Sequence, residues 1–503
     1  MRTLLIVLAL VLAAGSALAA DKPDAKATAK KDSATAEPVV THHQMTAGGR
    51  TLRYTVTTGK LPLKSETGET EAEIFFMAYT LDGIANRASR PLMFSFNGGP
   101  GSASVWLHLG ALGPKRVKMR TDGAMPAPPY QLVDNPDTWL DQTDLVFIDP
   151  VGTGYSRASK PELGKKFWGV QGDLESVGEF IRLYLVRYQR WASPLFLVGE
   201  SYGTTRAAGL SGYLVDRGIA FNGIVLVSSI LNFETTDFTR GNELPYELFL
   251  PTYTATAWYH KKLPADLQSR ELRSVLDDAE KWAAGDYARA LGLGDRLVGQ
   301  ERAATLDQLA RFTGLDRGYL ELSNLRVDIQ HFCKELLRSD HRTVGRLDSR
   351  FKGIDESGIS ETPDFDPSLT AIRPPYTAMF NQYVRSELAY KSDLTYYILG
   401  GGIGPWDWGS GRQGFPDVSG SLRGAFAKNP DMKLFVASGH YDLATPYFAT
   451  AYTLDHLGLE PAERARVTTH EYEAGHMMYI HEGELARLKR DVSQFLHAAL
   501  AAP

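Results

Sequence analysis

Pro194-Leu-Phe-Leu-Val-Gly-Glu-Ser-Tyr-Gly-Thr-Thr205 is a short apolar run that ends in Gly-x-Ser-x-Gly and passes straight into a stretch with apolar residues at helical spacing, 206–217. Strand, tight turn and helix in that order make a nucleophile elbow, which lifts the Ser201 hydroxyl above the carboxyl end of a sheet. Small residues at Gly199 and Gly203 let the backbone bend without Cβ clashes. Ser201 is therefore the first candidate for a covalent catalyst. The pentapeptide alone fits an ordinary strand-to-helix turn equally well in a chain with 47 glycines, so the remaining sequence has to supply a base and an oxyanion site.

Working outward, apolar runs at 92–96, 145–148, 195–198, 224–227 and 434–437 read as buried strands, each followed by Gly, Ser, Asn or Asp. Helical periodicity at 177–188 and 206–215 lies between them. That alternation predicts an α/β protein with a mostly parallel central sheet. Residues 51–57 and 74–79 read as antiparallel edge strands. From Ile230 to about Asn381 the pattern turns helical, most clearly at 249–259 and 275–291. Strand-like runs resume afterwards, so this block reads as a helical cap inserted into one sheet. The expected division is a core of 41–230 and 382–503 with a cap of 231–381.

The first 20 residues carry one charge, Arg2, then an apolar stretch and small residues at Ala17 and Ala19. They read as a signal peptide, since the apolar run is shorter than the roughly 20 residues a membrane span needs. Residues 21–40, rich in Lys, Asp, Ala, Thr and Ser, read as a disordered linker. The expected location is thus secreted or periplasmic, with no membrane association after cleavage. A net charge of −5 and no basic run with interleaved aromatics make nucleic acid an unsuitable partner. A single cysteine, Cys333, excludes an intramolecular disulfide and a cysteine-based metal site.

A serine hydroxyl needs a base within hydrogen-bond reach and an acid to orient that base, and in this kind of sheet they follow in the order Ser, acid, His. Asp442 lies in the loop right after the run Leu434-Phe-Val-Ala-Ser-Gly-His-Tyr, whereas Asp431 precedes that run. His476 ends the alternating run that begins at Val467. His440, His470 and His481 read as structural or exposed, His481 lying inside a helix expected from about Met477 to Leu500. For the oxyanion, Asn97-Gly-Gly-Pro-Gly101 follows an early strand, and the N–H groups of Gly99 and Tyr202 are the candidate donors.

Asn97-Gly-Gly-Pro-Gly101, Asn135-Pro-Asp-Thr-Trp139, Asp149-Pro-Val-Gly-Thr-Gly-Tyr-Ser156, Gly199-Glu-Ser-Tyr-Gly203 and Ala474-Gly-His-Met477 resemble, in order, the blocks of the serine carboxypeptidase family. The resemblance runs from about residue 50 to the end and is weakest in the cap. It implies an α/β-hydrolase fold with a helical insertion and a Ser201, Asp442, His476 triad. It also implies that Gly99 and Tyr202 hold the oxyanion, and that Asn97 and Glu200 grip the terminal carboxylate of a peptide substrate. Glu200 would do so protonated, since two carboxylates repel, so binding is expected to strengthen toward acidic pH.

Three positions depart from the family pattern. Ala111 stands where a second acid is usual before Gly-Pro, Ser102 replaces a frequent Cys, and Met478-Tyr479 replaces Val-Pro. The leading expectation is a secreted serine carboxypeptidase that needs no metal or organic cofactor and takes peptides with a free C-terminus. Its rivals are an esterase or acyltransferase using the same triad, and a binding protein of the same fold without catalysis. The sequence does not set the oligomeric state.

Overall fold

The computed structural model describes residues 37–409 and 414–501. The expected signal peptide and all but the last residues of the expected linker lie outside them. Val39–Ala47 is a strand, so the linker reading does not hold for residues 39 and 40. That strand pairs antiparallel with Arg50–Lys64, and the pairing continues through Thr70–Leu81.

Ten strands form one sheet. Across it run Val39–Ala47, Arg50–Lys64, Thr70–Leu81, Asp144–Ile148, Leu92–Phe96, Leu195–Ser201, Gly223–Ser229, Lys433–Gly439 and Val467–Tyr472, with Arg157–Ala158 paired beside Thr70–Leu81. From Asp144–Ile148 onward every neighbouring pair is parallel. The chain lays Leu92–Phe96 first and places its next two parallel strands on opposite sides of it. The strand order thus reverses beside Leu92–Phe96, and the carboxyl ends of strands at such a switch point open into a crevice where ligands bind.

The strands are buried on both faces, and their side chains alternate between two cores with a period of two. Met93, Phe196, Val198, Val225 and Phe435 enter one core. Leu92, Phe94, Leu195, Leu197, Ile224 and Leu434 enter the other. The second core is closed by Val170–Arg187, Tyr202–Val215 and Ser419–Lys428, through Phe180, Ile181, Leu210 and Leu422 among others. The first is closed by Pro367–Ser386 and Glu482–Leu500, through Tyr376, Phe380, Leu488 and Phe495. Helices on both faces of a mostly parallel sheet make the α/β-hydrolase architecture.

Between Gly223–Ser229 and Lys433–Gly439 the chain builds helices with a core of their own, around Phe249, Tyr253, Val275, Leu306 and Phe332. Leu272–Trp282 shows why: Leu272, Val275, Leu276 and Ala279 fall at helical spacing on one buried stripe. Leu443, next to Asp442, also packs into this core. Pro367–Ser386 behaves differently. Most of it falls inside the cap range expected from sequence, yet its apolar face is committed to the core against the sheet. Helical periodicity cannot say which of two cores an amphipathic helix joins. Among the described residues, no helix is long and apolar enough to cross a membrane.

Candidate active site

The site is assembled at the carboxyl ends of neighbouring parallel strands. Phe96 pairs with Gly199 across two of them, so the loops beginning at Asn97 and Ser201 emerge side by side. Ser201 sits at φ +59° between Leu195–Ser201 and Tyr202–Val215. A non-glycine residue held there is strained, and the surroundings must over-determine it. They do so by close approach: a Cβ on Gly199 would lie 2.1 Å from the Gly203 carbonyl oxygen, and one on Gly203 2.8 Å from that of Phe96. The glycines are thus required by packing of the elbow against its own helix and against the next strand.

Asp442 and His476 follow Lys433–Gly439 and Val467–Tyr472, which pair parallel. His476 Nδ1 and Asp442 Oδ2 are hydrogen-bonded at 2.7 Å, and both residues are buried. Asp442 is itself fixed, because Oδ1 accepts from the N–H groups of Ala444 and Thr445 and Oδ2 from the Thr445 hydroxyl. The His476 backbone is held at both ends: its N–H donates to Leu347 and its carbonyl accepts from the Ser228 hydroxyl. Burial would lower the His476 pKa, but the Asp442 carboxylate more than offsets this and the net shift is upward.

The glycine loop lies against the elbow. A Cβ on Gly98 would stand 2.4 Å from the Tyr202 nitrogen, and Gly99 holds φ +101°. The expected oxyanion donors therefore come from two loops in direct contact. Ser102, in place of a cysteine, accepts from Trp106 Nε1 at 2.8 Å and faces the Ile398 carbonyl.

Beside Ser201, Glu200 is buried. Asn97 Nδ2 donates to Glu200 Oε1 at 3.0 Å, and the Tyr479 hydroxyl donates to Oε2 at 2.5 Å. Burial pushes the Glu200 carboxyl up to about 7, against the field of His476 and these two hydrogen bonds, which pull it down. Asn97 is fixed in turn: its Oδ1 accepts from the Leu107 N–H, and its carbonyl accepts from Arg206 Nη1 at 2.7 Å. Arg206 also donates to Asp173 at 2.7 Å, and this ion pair is fully buried behind the elbow. The solvated Glu200 that a surface turn would give is not what forms.

Three groups were not anticipated from sequence: Tyr479, the Arg206–Asp173 pair, and a strap at 346–350. Arg206 carried a signal, a charge on an otherwise apolar helix face next to Ala207, Ala208 and Leu210. Such a charge calls for a buried partner. Tyr479 carried one in standing three residues past His476. The strap carried none. Of the other histidines, His440 Nε2 is bonded to Glu471 at 2.8 Å, and His470 lies in its strand stacked on Phe435. The last helix begins at Glu482 after a short turn at Met478–Ile480, so His481 is its N-cap residue and not inside it. The turn follows from the burial of Met478, Tyr479 and Ile480 together, which one face of a regular helix could not achieve.

The family model described as serine carboxypeptidase matches residues 56–259. Serine carboxypeptidase-like 13 of Arabidopsis thaliana is 30% identical over 153 residues, 29% of this chain and 34% of that protein. Pheromone-processing carboxypeptidase KEX1 of Saccharomyces cerevisiae is 34% identical over 158 residues, 29% of this chain and 20% of that protein. The matched segments thus span about a third or less of these relatives. The crystal structure of KEX1, titled a prohormone-processing carboxypeptidase from Saccharomyces cerevisiae, superposes with a TM-score of 0.51 at 17% identity, covering 88% of this chain and 91% of that one. That likeness extends the shared fold over both the sheet and the helical segment. The matched stretch holds the glycine loop and Ser201 but stops short of Asp442 and His476, which the fold returns to the same end of the sheet. The chain thus shares the fold of a solved serine carboxypeptidase, and its residues 56–259, which hold the glycine loop and the elbow, match the serine carboxypeptidase family model.

Proposed function

We propose that this protein is an exported serine carboxypeptidase that removes residues from the C-terminus of peptides through an acyl-enzyme. His476, oriented by Asp442, takes the Ser201 proton as Oγ attacks the scissile carbonyl, and the N–H groups of Gly99 and Tyr202 take the negative charge on its oxygen. The imidazolium then protonates the leaving amine, and water repeats the sequence on the ester. Asn97 and a protonated Glu200 hold the substrate's free carboxylate, which places the last peptide bond at Ser201. Export rests on the signal-like character of residues 1–20 and is part of the proposal, as is the cap at 231–381 as the element that shapes substrate access.

The observation that carries this reading is Glu200, a buried carboxyl next to the nucleophile, pushed up to about 7 and hydrogen-bonded by Asn97. An enzyme for simple esters has no use for it. The substrate's own negative charge would raise its pKa further, so Glu200 is neutral below that value and charged and repulsive above it.

The test is release of the C-terminal amino acid from N-blocked dipeptides between pH 4 and 8, with the C-terminal amides and a simple ester alongside, comparing the purified protein with Ser201→Ala. Ser201-dependent release from the free acid is expected, with kcat/KM falling above about pH 7 as Glu200 ionises. The amide should lack that descending limb. Cleavage of the ester without the peptide would establish an esterase or acyltransferase instead, and no Ser201-dependent turnover would leave a binding protein.

A further inference from the structure

The short turn His108–Leu112 lies under Met478–Ile480, and at this place the two depart from the family pattern together. A Cβ on Gly110 would stand 2.5 Å from Tyr479 Cε2 and 2.7 Å from Tyr376 Oη. The absence of a side chain at Gly110 thus admits two tyrosine rings one residue before Ala111, the position where the family usually carries its second acid. Tyr479 and Tyr376 are both buried, and the Tyr479 hydroxyl reaches Glu200 Oε2.

Resting on the carboxypeptidase reading, we propose that Tyr479 is the positioning residue of the carboxylate subsite: it stands in for the missing second acid, and by donating to Oε2 it aims Glu200 at a free C-terminal carboxylate. Glu200 is then held by two neutral donors, Asn97 on one oxygen and Tyr479 on the other. Among the described residues it makes no ion pair. The titratable groups facing it are His476, Asp442, Tyr479 and Tyr376, with Arg116 acting on Tyr376.

The substitution changes how the subsite titrates. Two acids sharing a proton lose it in two coupled steps that belong to the pair. A phenol does not share in this, because burial raises Tyr479 well above its ordinary value and it stays a donor throughout the working range. Glu200 therefore shares its proton with no second acid, and the titrating group that acts on it most strongly is His476. The Tyr479 bond favours the ionised form, so it holds the midpoint down against burial.

The experiment follows the carboxylic acid C=O stretch of Glu200 by infrared difference spectroscopy, full-length protein minus Glu200→Gln, across pH 4 to 9, with and without Tyr479→Phe. The phenylalanine keeps the ring over Gly110 and removes only the hydroxyl. One titrating carboxyl is expected, with its midpoint moved up by about one pH unit in Tyr479→Phe. The ratio of kcat/KM for an N-blocked dipeptide acid to that for its amide should fall about tenfold at pH 5, where Glu200 is protonated in both proteins. Gly110→Ala displaces the Tyr479 ring without deleting its hydroxyl and should move the midpoint the same way, which keeps the test open if Tyr479→Phe folds poorly. An unmoved midpoint, or acid and amide losing rate in equal proportion, overturns the role of Tyr479. A parent enzyme with no preference for the acid over the amide overturns the carboxypeptidase reading and the recognition half of the proposal, while the infrared midpoint still decides whether Tyr479 holds Glu200.

Discussion

Ser201 holds a backbone conformation that suits glycine, at φ +59° and ψ −132°, because its flanking glycines are pressed against backbone atoms of the elbow helix on one side and of Phe96 and Asn97 on the other. On the proposed mechanism that strain keeps Oγ exposed, and it has a stability cost of about 1–3 kcal/mol. Ser201→Gly and Ser201→Ala should both abolish turnover, but the glycine variant should be more stable than the alanine variant by about 1 kcal/mol in urea denaturation. Asp442 accepts three hydrogen bonds besides the one to His476, so Asp442→Asn should fold normally. The asparagine would present the wrong hydrogen-bonding partner to the imidazole, and kcat should drop by about 10⁴-fold with the thermal melt nearly unchanged. The acidic limb of the residual activity should also move to lower pH, since the carboxylate that raises His476 is gone.

The elbow helix Tyr202–Val215 does two jobs on two faces. Its apolar residues bury against the sheet, while Arg206 reaches back to the Asn97 carbonyl and pairs with Asp173 from Val170–Arg187. The ring faces of Phe96 and Tyr202 lie under the same guanidinium. Removing one partner of such a pair leaves a buried, unpaired charge. Arg206→Met should therefore cost about 3–5 kcal/mol by chemical denaturation, and Arg206→Met with Asp173→Leu should recover most of it, because two apolar residues leave nothing unsatisfied. The double variant should still be impaired on free-acid substrates, since the Asn97 loop has lost its donor. The strands were readable from their apolar runs, and so was the elbow. The first strand was not, because Val39–Ala47 alternates apolar and polar residues at the end of a polar tract and gains its order from pairing with Arg50–Lys64.

The helical segment and the sheet meet through a strap at 346–350. The Arg346 carbonyl accepts from the Leu443 N–H, Leu347 from His476, and the Ser349 N–H donates to Tyr441, so one short segment of bends and turn braces the loops of both Asp442 and His476. Asp348 accepts from the Gly475 N–H at 3.2 Å and pairs with Arg350, whose other nitrogen donates to the Glu473 carbonyl. Asp348→Ala should loosen the His476 turn and lower kcat about 10- to 100-fold, with little change in KM, measured on the dipeptide substrate with a melt to confirm folding. The order of the apolar runs, the elbow and the placing of Asp442 and His476 just after strands are local patterns, and period-two burial makes such patterns visible along the chain. The partner of Glu200, the ion pair behind the elbow, the strap, and the core that Pro367–Ser386 joins were decided by residues meeting across tens to hundreds of positions. No local periodicity encodes such a contact, because it depends on which surfaces the closed sheet brings within a hydrogen bond of each other.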